Sequence, residues 1–168
     1  MGYKGSYLWT VRQKVGHDRL INATVDTIAV REDGKILLCY SNEFDAWTTP
    51  GGSTEFDKTW RQSALDELME EGGLLADVDD LVPFAASSGA KWSHEYKNGD
   101  KLQSFSLAFI CKKWTDQSGP TDTEEITKKQ FFSLEEIKEL RLSKFAKPLI
   151  EAYQRYLDTG EFQMIDLE

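Results

Sequence analysis

The chain has 168 residues, of which 40% are hydrophobic, with 9 Phe, 5 Trp and 6 Tyr. That is enough apolar material for a substantial core in one domain spanning residues 1–168, and it excludes intrinsic disorder. A formal charge of −9 offers no basic stripe to neutralise a nucleic-acid backbone, whereas a small anionic substrate stays compatible if a metal ion supplies local positive charge.

Cys39 and Cys111 lie far apart, each in an apolar strand-like run. They suit neither a metal pair nor a disulfide, and are expected as reduced core residues. No apolar run approaches ~20 residues and the chain does not open on a basic and then apolar leader, so the expected setting is the cytoplasm, away from membranes. A formal acylation pattern (Met1, Gly2, Ser6) and a formal glycosylation pattern (Asn22, Ala23, Thr24) are short enough for chance to explain them. Oligomeric state is left open, a homodimer included.

In chain order, residues 20–30 are rich in Ile, Val and Thr, and the Glu32-Asp33-Gly34 turn separates them from residues 36–40, predicting a hairpin. After Trp47 comes the glycine turn Pro50-Gly51-Gly52. A helix is expected over residues 58–71, with Asp57 as N-cap and Gly72-Gly73 as stop. A second hairpin is predicted from residues 84–96 and 102–113, joined across Asn98-Gly99. Residues 115–123 read as a loop and residues 130–132 as a further strand. Ser133-Leu134-Glu135-Glu136 forms a capping box, and Pro148 opens a final helix whose apolar residues include Leu149, Ile150, Ala152, Tyr153, Tyr156 and Leu157. Strands interleaved with few helices predict an α/β fold, an α/β/α sandwich around a mixed sheet.

The helix after the glycine turn carries the chemistry. At ~100° per residue Glu67 and Glu71 project almost in line and Glu70 about a quarter-turn away, so the three carboxylates share one side. Pairs three and four apart repel by roughly 0.2–0.5 kcal/mol each, and no Lys or Arg stands at those spacings to relieve them. A solvated acidic face is the plain reading. Against it, Trp60, Ala64, Leu65 and Leu68 form an apolar arc beside the carboxylates, so the acidic edge should border protein. The upstream glycines allow close approach of a ligand, and hard cations such as Mg²⁺ and Mn²⁺ choose carboxylate and carbonyl oxygens.

Gly52, Glu67, Leu68, Glu70, Glu71, Gly73 and Leu74 fall without a gap on a pattern that resembles the Nudix hydrolases. Two positions differ: Lys58 stands where that family has Glu, and Asp66 where it has Arg. The charges are exchanged, which would preserve an ion pair. Eight residues of helix span ~12 Å, so a contact requires Lys58 to sit in the preceding loop and fold back. The resemblance implies hydrolysis of a nucleoside diphosphate linked to another moiety, a nucleotide triphosphate or a nucleotide sugar. It also implies Mg²⁺ or Mn²⁺ bound by Glu67, Glu70 and Glu71, with the Gly51 carbonyl as a further ligand. These three glutamates are the expected catalytic residues, Glu71 being the firmest ligand and Glu67 alternatively a general base.

A further carboxylate from a later loop is offered by Glu124 or Glu125, which read equally as a surface acidic pair. Trp47 and Trp92 are candidates to stack a nucleobase, with core packing as the alternative. His17 and His94 lack a supporting motif and are expected in ordinary polar roles. Because Lys58 and Asp66 depart from the family pattern, a catalytically impaired nucleotide-binding or sensor module stands as the competing function. A structural domain with an acidic helix would leave the spacing from Gly52 to Leu74 unexplained.

Overall fold

The computed structural model describes residues 4–117 and 125–168. Glu124 and the Met1-Gly2 start of the formal acylation pattern lie outside the described residues. In chain order the elements are α1 (Tyr7–Val15), β1 (Leu20–Ala29), β2 (Ile36–Ser41), β3 (Ala46–Thr48), β4 (Gly51–Ser53), α2 (Trp60–Gly72) and β5 (Leu74–Leu75). A short 3-10 turn (Val78–Asp80) leads into β6 (Leu81–Ser88), β7 (Ser93–Glu95), β8 (Lys101–Cys111), β9 (Thr115–Asp116), β10 (Ile126–Phe132), α3 (Leu134–Ile137), α4 (Ala146–Thr159) and β11 (Gln163–Asp166).

The main sheet has the order β11-β6-β8-β1-β4, with β7 also on β8. It is mixed: β1 runs parallel to β8 and β11 parallel to β6, while the β6–β8 and β1–β4 pairs are antiparallel. A second, antiparallel sheet has the order β10-β2-β3, and β5 pairs with β9.

Period-two alternation divides the core into two layers. Ile36 and Leu38 of β2, with Ala108 and Ile110 of β8, join Leu149, Ile150 and Tyr153 of α4. Their neighbours Leu37, Cys39, Phe109 and Cys111 join Ala64 and Leu68 of α2 on the opposite side. Helices therefore cover both sides of the strands, the expected α/β/α sandwich. Cys39 and Cys111 are buried and unpaired, and burial holds both thiols well above their usual pKa.

The first predicted hairpin forms only at its turn. Arg31 N–H bonds the Lys35 carbonyl at 2.8 Å and a single bridge joins Val30 to Ile36. Beyond it the strands part, β1 into the main sheet and β2 into the second. Local turn chemistry closes the chain but does not choose lateral partners, and each of these buried strands needs neighbours on both edges. The second hairpin does form around a three-residue loop, Tyr96 N–H bonding the Asp100 carbonyl at 2.8 Å with Gly99 at φ 87°. Its first arm is broken at Gly89 into β6 and β7.

Thr59, not Asp57, caps α2. It makes a reciprocal box with Gln62, while Asp57 takes the left-handed φ of 61°. The helix stops at Gly73, whose φ of 67° turns the chain and bonds its N–H to Leu68 and Met69 carbonyls. The Ser133–Glu136 box forms as expected. Asn22 is buried, its amide bonding Ser53 Oγ at 2.8 Å, so it is closed to glycosylation. Among the described residues, no helix is long and apolar enough to cross a membrane.

Candidate active site

Register and sterics bring the glycine turn against the acidic helix. In the antiparallel pairing of β1 with β4, the bonds Thr27 N–H to Pro50 O and Thr54 N–H to Ala23 O make Asp26–Gly51 a non-hydrogen-bonded pair. Both backbone polar groups of Gly51 therefore point off the sheet edge. Its N–H meets Glu71 Oε2 at 2.9 Å, and its carbonyl points to the same side. A Cβ on Gly52 would lie 2.3 Å from Glu67 Oε1, and one on Gly51 would lie 2.4 Å from the Val25 carbonyl. The two glycines thus let the strand touch the glutamates and its neighbour directly.

The adjoining arc of α2 is fixed by Ala64 and Leu68, both fully buried. Burying a leucine of this kind is worth roughly 1.5–3 kcal/mol, enough to hold the helix rotation and keep Glu67, Glu70 and Glu71 on one edge. That edge borders a cleft of about 600 Å³, lined also by Asn42, Phe44, Tyr96, Lys97 and Glu125. Burial, then Glu70 and Glu125, push the Glu67 carboxyl up to about 8. Glu71 is raised well above its ordinary value by burial and then by Glu67, against the opposing Gly51 N–H.

The donor set is entirely oxygen and its charges repel, which suits a hard divalent cation. Among the described residues no three Asp, Glu, His or Cys side chains form a metal cage of their own. Mg²⁺ seldom needs one, since it retains waters and borrows phosphate oxygens from its substrate. Ser63, one helical turn before Glu67 and beside the same cleft, keeps a buried hydroxyl without a hydrogen-bond partner among the described residues. The fit to such an ion therefore rests on Glu67, Glu70, Glu71 and the Gly51 carbonyl, with Glu125 facing them across the cleft.

Lys58 lies outside the helix and its amine pairs with Asp66, each side chain 44% exposed. The exchanged charges do meet. An exposed pair of this kind contributes at most ~1 kcal/mol, so its expected effect is on loop position more than on stability. Lys58→Glu and Asp66→Arg should each lower turnover, and the double change should largely recover it. Steady-state rates of the four proteins test this; additive losses would show two unrelated substitutions.

Neither Trp47 nor Trp92 is placed to stack a nucleobase. Trp92 is 2% exposed and packs against the Phe145 ring at 5.2 Å, so it has no open surface for a base. Trp47 is half-buried, its ring edge-on to Phe132 at 4.8 Å and Tyr40 at 5.5 Å, and it does not line the cleft. Among the described residues, the aromatic rings that do are Phe44 and Tyr96. His94 stands between them, 4.9 Å from the Phe44 ring and 4.7 Å from the Tyr96 ring, with Nε2 on Glu43 Oε1 at 3.1 Å. His17 pairs with Asp100 at 2.8 Å. Both histidines have the polar roles expected of them.

Asp26 also escaped the sequence reading. Its carboxylate lies behind Gly51, accepts from Thr49 Oγ1 at 3.1 Å and Ser106 Oγ at 2.6 Å, and is raised in pKa by burial against those two bonds. Its charge adds to the repulsion at Glu71. Only the pairing of β1 with β4 and β8 reveals it.

A NUDIX domain profile matches residues 21–153. Over 63 residues the chain is 35% identical to a "MutT-like protein" of Streptomyces ambofaciens, covering 38% of this chain and 41% of that protein's length. Among solved structures, the MutT NUDIX hydrolase from Burkholderia pseudomallei superposes with a TM-score of 0.63 at 15% identity, over 79% of this chain and 98% of that one. A UDP-X diphosphatase superposes with a TM-score of 0.62 at 23% identity, over 94% of this chain and 73% of that one. At these identities the superpositions speak for the fold, and the profile for the family. The chain belongs to the Nudix family, a family of pyrophosphohydrolases.

Proposed function

We propose that the protein, acting as one domain, hydrolyses the diphosphate linkage of a small nucleoside diphosphate derivative with Mg²⁺ or Mn²⁺. The substrate would be a nucleotide triphosphate or a nucleotide sugar. The observation that carries this reading is the seating of Glu67 and Glu71 on the side-chain-free edge of Gly51 and Gly52, at the wall of a cleft large enough for a nucleotide. The structural kinship with a UDP-X diphosphatase supports a nucleoside diphosphate joined to a second group. Buried unpaired cysteines are in keeping with a reducing, cytoplasmic setting.

Glu67, Glu70, Glu71 and the Gly51 carbonyl would hold the ion, with Glu125 as a further ligand. When bound, the ion neutralises phosphate charge and lowers the pKa of its water. As the alternative to ligation, Glu67 stands at the same edge of the cleft with its Oε atoms placed to take a proton from an attacking water. Gly51 N–H fixes the orientation of Glu71. Phe44 and Tyr96 give the cleft the flat apolar surfaces that a nucleobase needs.

A nucleotide sensor without turnover is the second reading, favoured by Lys58 and Asp66 in the box. Incubating a panel of nucleoside triphosphates and nucleotide sugars with Mg²⁺ and Mn²⁺, and weighing the products by mass spectrometry, separates the two. The enzyme reading expects a nucleoside monophosphate and the complementary phosphate product, formed only with metal. Saturable binding across the panel without products would establish the sensor.

A further inference from the structure

Helix α1 lies upstream of the family-matched residues 21–153, yet its two ends hold two separate segments that line the cleft. At its N-terminal end the Tyr7 N–H donates to Glu55 Oε2 at 2.9 Å, and the Tyr7 ring stands edge-on to Phe56 at 4.9 Å. Glu55 lines the cleft and belongs to the loop between β4 and α2, which also carries Lys58. At the other end the Arg12 guanidinium, its side chain 10% exposed, gives Nη2–H to the Lys101 carbonyl at 2.8 Å and places Nε 3.4 Å from Asp100 Oδ1. Asp100 closes the hairpin loop that presents Tyr96 and Lys97 to the cleft. Between the two ends, Leu8 is buried, and Leu8 and Trp9 border a hollow of about 280 Å³ whose wall includes Tyr96.

We propose that α1 is a strap that sets the distance between these two segments, with Tyr7 and Arg12 as positioning residues for substrate binding. The five-residue rise from Tyr7 to Arg12 gives a helical strut of ~7.5 Å, far stiffer than the loops it joins. Neither side chain lines the cleft, so neither touches substrate. A strap fails when either end is cut. The signature is therefore two single substitutions with the same effect and a double substitution with no more than that effect.

The test uses the full chain with Tyr7→Pro, Arg12→Ala and the double variant. Proline is favoured at the first helical position, so Tyr7→Pro removes the N–H and the ring while leaving the helix start intact. Ile165→Ala, on β11 at the far edge of the sheet, serves as a control for lost stability. The kinetic readout rests on the hydrolase reading. Each single variant should raise KM about 3–10-fold with kcat within about twofold, the double should match the singles, and the control should keep its KM.

Amide hydrogen exchange reads the strap without any substrate, so it stands even if the hydrolase reading fails. Arg12→Ala should speed exchange both at residues 96–100 and, at the distant end, at residues 54–58. Should Arg12→Ala not fold, Asp100→Asn weakens the same anchor. Faster exchange at the near end alone, multiplicative KM effects, or unchanged KM in a protein that turns over would each overturn the proposal.

Discussion

Replacing Glu71 with Gln is expected to remove metal-dependent turnover and, at the same time, to raise the melting temperature of the metal-free protein. Glutamine keeps the shape and can still accept the Gly51 N–H through its amide oxygen, so the glycine turn stays tied to α2. What disappears is an anionic oxygen. Losing a group that only supports a metal ligand already costs 10–100-fold, so loss of a direct ligand should exceed about 100-fold. The gain in stability follows from protonation. Both Glu67 and Glu71 bind their protons more tightly in the fold than in the unfolded chain, where 4.5 is the ordinary value. The stability they contribute is complete below that value and is lost as pH rises toward about 8 for Glu67. At neutral pH the metal-free fold must hold protons that the unfolded chain has already released, and an uncharged residue 71 removes that cost. Thermal melts from pH 5 to 8, with and without EDTA, check both halves; a wild-type melting temperature that climbs over this range without metal would contradict the account.

Gly52→Ala should cost activity far more than stability. The new Cβ would meet the Glu67 carboxylate, the far end of a flexible side chain that can swing away. A displacement of about 1 Å at a reacting group is worth ~10²-fold in rate, so turnover should fall by about that factor while the melting temperature moves little. Gly51→Ala is the contrast. There the Cβ meets the Val25 carbonyl, backbone of the central sheet that cannot yield, so both the fold and the activity should suffer. Parallel assays and melts of the two variants distinguish them. Equal stability losses would show that Gly52 serves the strand and not Glu67.

The acidic helix was legible because its information is local. Glu67, Glu70, Glu71 and the glycines that admit them lie within one helix and the turn before it, and helical spacing alone puts the carboxylates together. The α/β layering was legible too, since buried alternation on β2 and β8 fixes which residues face each helix. Lateral pairing was not. The Glu32-Asp33-Gly34 turn is real, but nothing in it says that β1 goes to β8 while β2 goes to β10. Asp26 was hidden for the same reason, because its place behind Gly51 exists only once β1 has β4 beside it. Trp92 and Trp47 show the same limit for side chains. A tryptophan near a turn has equal claim to a cleft or to a core, and here Phe145 and Phe132 take them inward. Helix α1 carried its own signals, the Ser6 cap and Arg12 and Lys14 in the last turn, but its function lies in contacts with Glu55 and Asp100, far along the chain.

The central claim is that Glu67 and Glu71, crowded and partly protonated, become a metal site. Calorimetric titration of Mn²⁺ at pH 7 in two buffers of different ionisation enthalpy counts the protons that leave as the ion binds. The account predicts net proton release for the wild-type chain and a loss of both affinity and proton release in Glu71→Gln. Binding with no proton release, and with affinity unchanged in Glu71→Gln, would contradict it.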